Sequence, residues 1–599
     1  MSIADPELAA AVWDLEPIVD GAGAAGARGL IAEARSRASA FATTYADRVA
    51  GLAPEELVTA VAELSAIRDL ISRAHQYANL RAFSNSADAE GNSLLGASET
   101  AAAEIDAKLL FFDLEWSGLE ETQAERLLAG AGPRLDHAAN HLRQLRARRS
   151  HQLSAAEERV LAETSVPRVA AWRRLFLENA SALTVELDGE TLPLTEADSR
   201  LLDPERTVRM AASAAMDTGL QSGLPTRVAA VNQVLGEKAV DDRLRGFATW
   251  RSSRNLENGL SDAAVDIQQA AVTARVDIPR RWSRLKARLL GLETLATCDL
   301  DAPLLSATAT VPYARAREVI LAAWHDFSPQ AEELLAPFFS DGRIDAPIRA
   351  NKRSGAFCDS VAPSQHPYIL TNYGARLVEV SFLAHELGHG LHFECCRHLG
   401  PLGEPYSIPL IELPSTFSEH LVVDRQLAEA GSDAERLELL LIRLDTTILN
   451  IFRGCAYHQA EARMHALYRE QGDLSADQLS QIFSGATSEM FGDTLEIQPA
   501  FSKQWSLMPH MVSAPAYLYA YSFGMLLAWS AYARYRQIGD AFVGDYLAML
   551  AAGGSQPPAE LMAIIGLDLE APELWRTALD LIDTQLDEAE QLAAAAGPE

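Results

Sequence analysis

The stretch Phe382–His398 reads F-L-A-H-E-L-G-H-G-L-H-F-E-C-C-R-H, and its centre, His385-Glu386-Leu387-Gly388-His389, has the pattern H-E-x-x-H. Residues four apart share one face of a helix, so two imidazoles at this spacing can address one tetrahedral ion at about 2.0–2.1 Å from each nitrogen. Glu386 lies beside them, where a carboxylate can take a proton from water acidified by the same ion. Leu377, Val380, Leu383, Ala384, Leu387 and Leu391 surround the motif with apolar side chains on nearly every face. That is the pattern of a helix buried in a large domain. Two histidines and a glutamate in such a helix need polar partners, which core hydrogen bonds supply in a structural helix and a metal supplies in a functional one.

A third ligand must arrive from elsewhere, and Ile411–His420 (I-E-L-P-S-T-F-S-E-H) offers one within an apolar run. Two neutral histidines and one carboxylate leave a zinc site with net positive charge and an open fourth position. Glu412 and Glu419 are seven apart, so on one helix they share a face about 10 Å apart along the axis. One can ligate while the other hydrogen-bonds a ligand histidine. Glu412 is favoured as ligand and Glu419 as the supporting carboxylate, with the exchanged assignment as competitor. Pro414 between them prefers a first turn and otherwise kinks a helix. Gly388 and Gly390 weaken the first helix and are explained by close approach of a neighbouring backbone or by tight helix packing.

H-E-L-G-H-G-L-H followed by E-L-P-S-T-F-S-E resembles the thimet-oligopeptidase-like zinc peptidases, and the spacing from His385 to Glu412 resembles their oligoendopeptidase F branch. Trp13-Asp14-Leu15, Asp188-Gly189 and Leu300–Pro303 look like counterparts of segments in that branch, so the resemblance spans nearly the whole chain. It implies one zinc ion held by His385, His389 and Glu412, with Glu386 as general base. It also implies a mainly α fold whose two helical halves enclose a deep channel, admitting oligopeptides and excluding folded proteins. A small β-sheet edge next to the H-E-x-x-H helix is the further implication, with Gly355 and Ala356 pairing to the substrate backbone. Pro509-His510-Met511 and Pro515–Gly524, with Tyr517, Tyr519 and Tyr521, resemble the family's His and Tyr cluster. By position His510 and Tyr521 match the members that hydrogen-bond the tetrahedral intermediate and Tyr517 or Tyr519 the substrate contacts, with Tyr517 and Tyr519 as the alternatives for the hydroxyl that meets the oxyanion.

The chain has 599 residues and a formal net charge of -31. Length and apolar content suit several subdomains around large cores. The acidity argues against nucleic acid and anionic membranes, since both require a basic surface. No run of eighteen or more apolar residues suggests a membrane span. Met1–Asp20 has neither a basic n-region nor an apolar h-region, so cytoplasm is the expected compartment. Five cysteines without C-x-x-C spacing fit reduced core thiols. Monomer and homo-oligomer are both open.

Helical patterning from Trp13 to about Leu183 predicts an N-terminal helical domain over 1–183. Phe111-Phe112-Asp113-Leu114-Glu115-Trp116 reads as core. Leu183–Leu194, with Asp188-Gly189 at its centre, predicts a hairpin and a hinge over 184–202. Helices resume at Asp203-Pro204, with Asp203 as cap and Pro204 at the first helical position. A catalytic domain is expected over 203–590, with its motif core at 343–421 and a substrate segment at 505–525. Asn351–Cys358 and His366–Asn372 read as short strands. The Ala-rich end, 591–599, is expected to fray. The expected activity is endopeptidase cleavage of short oligopeptides. A related all-helical zinc carboxypeptidase and a non-catalytic peptide-binding protein are the alternatives.

Overall fold

The computed structural model describes residues 5–304 and 310–595. The fold is mainly α, as expected, with 75 % of the chain helical and only small sheets. Among the described residues no helix is long and apolar enough to cross a membrane. The chain forms two compact units, each built from three separate stretches. The first comprises residues 1–149, 307–429 and 531–568, and the second 150–306, 430–530 and 569–599.

In the first unit, helices Gly23–Tyr45, Pro54–Ser84 and Ala89–Gly118 pack against one another. The middle one shows why: Leu57, Ala60, Val61, Leu64 and Ile67 recur at helical spacing and are all buried, giving an apolar stripe that must be covered. Phe112 and Trp116 are fully buried, with the Trp116 indole N–H donating to the Leu142 carbonyl at 2.8 Å. The aromatic run is core.

A three-stranded sheet of order β4-β6-β5 joins this unit, formed by β4 (Ile344–Asp345), β5 (Phe357–Asp359) and β6 (Tyr368–Leu370). β4 runs parallel to β6, and β5 antiparallel with Cys358 opposite Ile369. The strands are shorter than their sequence signals, because Asn351–Gly355 is consumed by turns. Two of its residues take positive φ, Asn351 at 64° and Gly355 at 84°. Lys352, with a fully buried side chain, donates to the carbonyls of Asp345, Pro347 and Thr371 and to the Asp345 carboxylate. From the other end of the sequence, the Trp13 indole N–H donates to the Ile369 carbonyl at 2.8 Å and Tyr368 Oη to the Asp14 carbonyl at 2.8 Å. The sheet is thereby tied to the chain's first residues.

The H-E-x-x-H helix spans Leu377–Cys396 and the second-motif helix Ile408–Glu429. Glu379 starts the former by reaching back to accept from the Gly374 and Arg376 N–H groups at 2.6 and 2.9 Å, a satisfaction of orphan donors that fixes a helix start. The two helices pack closely on each other. A Cβ at Gly388 would lie 2.3 Å from the Pro414 carbonyl oxygen, so this glycine admits a neighbouring backbone; one at Gly390 would meet the Phe338 ring at 2.7 Å.

The second unit contains the hairpin, β1 (Thr184–Leu187) and β2 (Glu190–Pro193). Asp188 and Gly189 both take positive φ, 54° and 83°, the requirement of a type I′ turn. The inward residues Val185 and Leu187 pack with Met216 and Leu220. A short helix, Leu194–Ser199, follows the hairpin directly within the stretch expected as a hinge, and the helix expected at Asp203-Pro204 begins later, at Arg206 with Glu205 as cap. Asp203 instead accepts from the Glu205 N–H at 2.8 Å, so its side chain closes a turn ahead of the helix. A short parallel pair, β3 (Leu295–Ala296) with β7 (Leu495–Glu496), ties the unit's segments together. The last helix, Pro572–Ala595, includes the start of the tail expected to fray; 596–599 lie outside the described residues.

Candidate active site

His385 and His389 project from successive turns of one helix, their rings 4.9 Å apart and nearly perpendicular. Glu412, from the second-motif helix, brings Oε2 to 3.4 Å from His385 Nε2 and 3.7 Å from His389 Nε2. Among the described residues, His385, His389 and Glu412 form the one group of three or more suited to a metal, with donor atoms within 4.8 Å of one another. Two ligands each about 2.0–2.1 Å from a tetrahedral ion lie roughly 3.4 Å apart, so this set fits a cation such as zinc. Glu419 stands one turn-pair further on and accepts from His385 Nδ1–H at 2.7 Å. That bond leaves the Nε2 lone pair facing the group, the tautomer a metal needs. Ser415 donates to Glu412 Oε2 at 3.2 Å and to the Glu412 carbonyl at 2.9 Å. The Glu412 side chain keeps 40 % of its exposure, so the cluster is open on one side.

Charge runs in opposite directions within this small volume. Burial works to lower His385, but hydrogen bonds to Glu412 and Glu419 overcome it and raise its pKa well above the usual value. Burial, helped by the neighbouring His385, brings His389 down to about 3. For Glu412, burial opposes ionisation while the two histidines hold the carboxyl down. Glu386, only 7 % exposed, is raised by burial to about 7, against the pull of His385. Strand β5, which carries Cys358, packs against the motif helix. The sheet thus lies against the H-E-x-x-H helix. Gly355 and Ala356 precede β5, which has β6 on one side and, among the described residues, no strand on the other. The Gly355 carbonyl accepts from Asn372 Nδ2 at 2.9 Å.

The other histidines near the motif have structural surroundings. His392 is buried and pushed down to about 4 by that burial. His366 pairs with Glu394 at 2.7 Å, and the His420 ring lies 4.9 Å from Tyr532.

In the second unit, Tyr521 Oη lies 3.2 Å from His510 Nδ1. The Tyr517 ring stacks on His510 at 4.9 Å and meets Tyr521 edge-on at 5.3 Å. Tyr521 is 39 % exposed. Tyr519 departs from the expectation of a substrate contact. It is fully buried, and its hydroxyl accepts from Asn258 Nδ2 at 2.8 Å. The alternation of tyrosines is not strand-like here, because a helix begins at Tyr519 and turns it about 200° away from Tyr521.

Comparison with known proteins adds to this geometry. Residues 281–581 match the family model of peptidase family M3, and residues 115–184 that of oligopeptidase F. Oligopeptidase PepF of Bacillus subtilis is 24 % identical over 549 residues, covering 90 % of this chain and 81 % of that protein. A solved structure from Chlamydophila abortus aligns over 99 % of both chains with a TM-score of 0.83 at 21 % identity. Oligoendopeptidase-F from Enterococcus faecium aligns over 94 % of this chain and 97 % of its own, with a TM-score of 0.69 at 21 % identity. The M3 match takes in both motifs and half of the sequence: the chain belongs to peptidase family M3, in its oligoendopeptidase F branch, and is a peptidase.

Proposed function

We propose that this peptidase is a zinc-dependent endopeptidase that cuts internal bonds of short oligopeptides, with the metal held by His385, His389 and Glu412. The observation that carries the reading is the convergence of those three donors within 4.8 Å, with Glu386 adjacent in sequence. Zinc bound there supplies a Lewis acid for water and for the scissile carbonyl.

The chain's own residues do the rest. Glu386 accepts the proton of the attacking water and delivers it to the departing amine, a role supported by its burial and its place beside His385 in the motif. Glu419 holds the His385 ring through Nδ1 and keeps its basicity high. Tyr521 and His510 donate to the oxyanion as the carbonyl becomes tetrahedral, supported by their 3.2 Å contact and the exposure of Tyr521. Tyr517 stacks on His510 and limits its rotation. The β5 edge before Phe357 pairs with the peptide backbone of an extended substrate.

The test is mass spectrometry of products from short peptides, long peptides and one unfolded protein, using metal-loaded wild type and Glu386→Gln. Internal cuts in short peptides by wild type alone are the expected result. Residue-by-residue trimming from the C-terminus would replace the endopeptidase by a carboxypeptidase. No cleavage by a zinc-loaded wild type would end the catalytic reading.

A further inference from the structure

Outside the metal cluster, one buried acid in the second unit has no part in the chemistry above. Glu461 lies on helix Gly454–Gln471, is 1 % exposed, and accepts from the Ala516 N–H at 2.7 Å through Oε1. The other oxygen, Oε2, is buried with no hydrogen-bond partner. Ala516 itself is fully buried with φ 65°, a left-handed conformation that a residue with a Cβ keeps only when its surroundings hold it. Immediately beyond are Tyr517 and Tyr521, whose rings meet each other and His510.

The helix carrying Glu461 is well fixed. His458 and His465 flank it on the same helix, both stacked on the Trp250 ring at 5.4 and 4.6 Å. His465 Nε2 is 3.9 Å from the Glu461 carboxylate, too far for a hydrogen bond. Burial of a carboxyl among such groups is costly unless its hydrogen bonds recover the loss. Here one carboxyl oxygen recovers part of it from the backbone N–H of the one left-handed residue that precedes the exposed tyrosine.

We propose that Glu461 is a positioning residue for the peptidase reaction: its carboxyl anchors residues 514–518 and thereby sets the direction of Tyr517 and Tyr521. This rests on the reading that Tyr521 and His510 meet the substrate. What matters is the reach of the acceptor oxygen. Burial raises Glu461 to about 8, so the group is largely neutral near pH 7 and glutamine reproduces that form. Aspartate keeps the acid but withdraws its oxygens by one methylene.

The experiment compares full-length, metal-loaded wild type with Glu461→Asp, Glu461→Gln, Glu461→Asp/Ala516→Gly and Tyr521→Phe. Metal content, Tm, amide hydrogen exchange over 511–521, and kcat and KM on a quenched fluorescent peptide are measured for each. Glu461→Asp is expected to exchange about tenfold faster at 514–518. Its kcat should fall about 10–100-fold with KM nearly unmoved, as for a displaced transition-state donor. Glutamine is expected to return both readouts to within about threefold of wild type, because the acceptor is kept. Adding Ala516→Gly to the aspartate variant should recover part of the lost kcat, since glycine holds positive φ unaided.

Wild-type exchange and kcat in Glu461→Asp would overturn the proposal, as would a glutamine variant that falls as far as aspartate. If Glu461→Asp melts, exchange in the glutamine variant decides alone: wild-type rates support the anchor and raised rates overturn it. Unchanged kcat in Tyr521→Phe would sink the oxyanion reading instead, while the exchange rates still judge the anchor independently.

Discussion

At the scale of single residues, the two carboxylates around His385 should fail in different ways when altered. Glu386→Gln keeps every donor of the metal cluster but cannot accept a proton, so zinc content should stay at wild type while kcat falls about 10²–10⁴-fold; inductively coupled plasma mass spectrometry and a peptide assay check both halves. Glu419→Ala removes the acceptor 2.7 Å from His385 Nδ1, and zinc affinity should weaken about 10–100-fold, read by competition with a chelator. The four-residue spacing of His385 and His389 made this much legible in sequence, because a helix converts that spacing into one face. The seven-residue spacing of Glu412 and Glu419 did the same for their division of labour, although it could not say which carboxylate stood nearer the histidines. Tyr519 was misread because alternation in sequence carries no information once the local structure is helical. The backbone donor that meets Glu461 was invisible, since any residue but proline can supply an N–H.

At the scale of elements, contact between the two motif helices depends on a missing side chain. A Cβ at Gly388 would lie 2.3 Å from the Pro414 oxygen and 2.6 Å from Ser415 Cα. Neither is the end of a flexible side chain, so the second-motif helix must move. Gly388→Ala should cost about 1–3 kcal/mol from overpacking, more than the roughly 1 kcal/mol that alanine returns in helix propensity. It should also carry Glu412 away from the histidines, so Tm and zinc retention after dialysis should fall together. Gly390→Ala should be milder, because it meets only the far end of the Phe338 side chain, which can shift where a backbone cannot. Sequence left close backbone approach and tight packing as equal explanations for these glycines; each turns out to hold at one of them. The hairpin at Asp188-Gly189 was readable to its turn type, since positive φ at two successive positions selects few residues. The helix expected at Asp203-Pro204 was misplaced by two residues, because Asp203 can cap a helix or close a turn with the same side chain.

At the scale of the whole molecule, the buried acid of the second unit links stability to pH. Burial raises Glu461 to about 8 from an ordinary 4.5, so the folded state binds a proton that the unfolded chain has released between those values. Its contribution is complete below the unfolded pKa and is lost as pH rises toward the folded one. Tm of wild type should therefore fall from pH 5 to pH 8.5 by more than that of Glu461→Gln, which has no proton to lose; parallel curves in a thermal scan would count against the shift. The mainly α class was legible from long periodic stretches. The composition of the two units was not, because periodicity reports which face of a helix is covered and never which distant segment covers it.

The indole of Trp13 and the carbonyl of Ile369 are joined by a hydrogen bond across 356 positions, and this bears on how the protein is made. During synthesis at roughly 5–20 residues per second, the N-terminal residues wait on the order of 20–70 s for their strand to leave the ribosome. The first unit closes only when its last stretch, 531–568, has followed. Until then the early helices hold apolar faces that their final neighbours have not yet covered. The nascent chain thus has a long period in which chaperone capture competes with folding, and stalling translation between residues 150 and 340 should yield a protease-sensitive product.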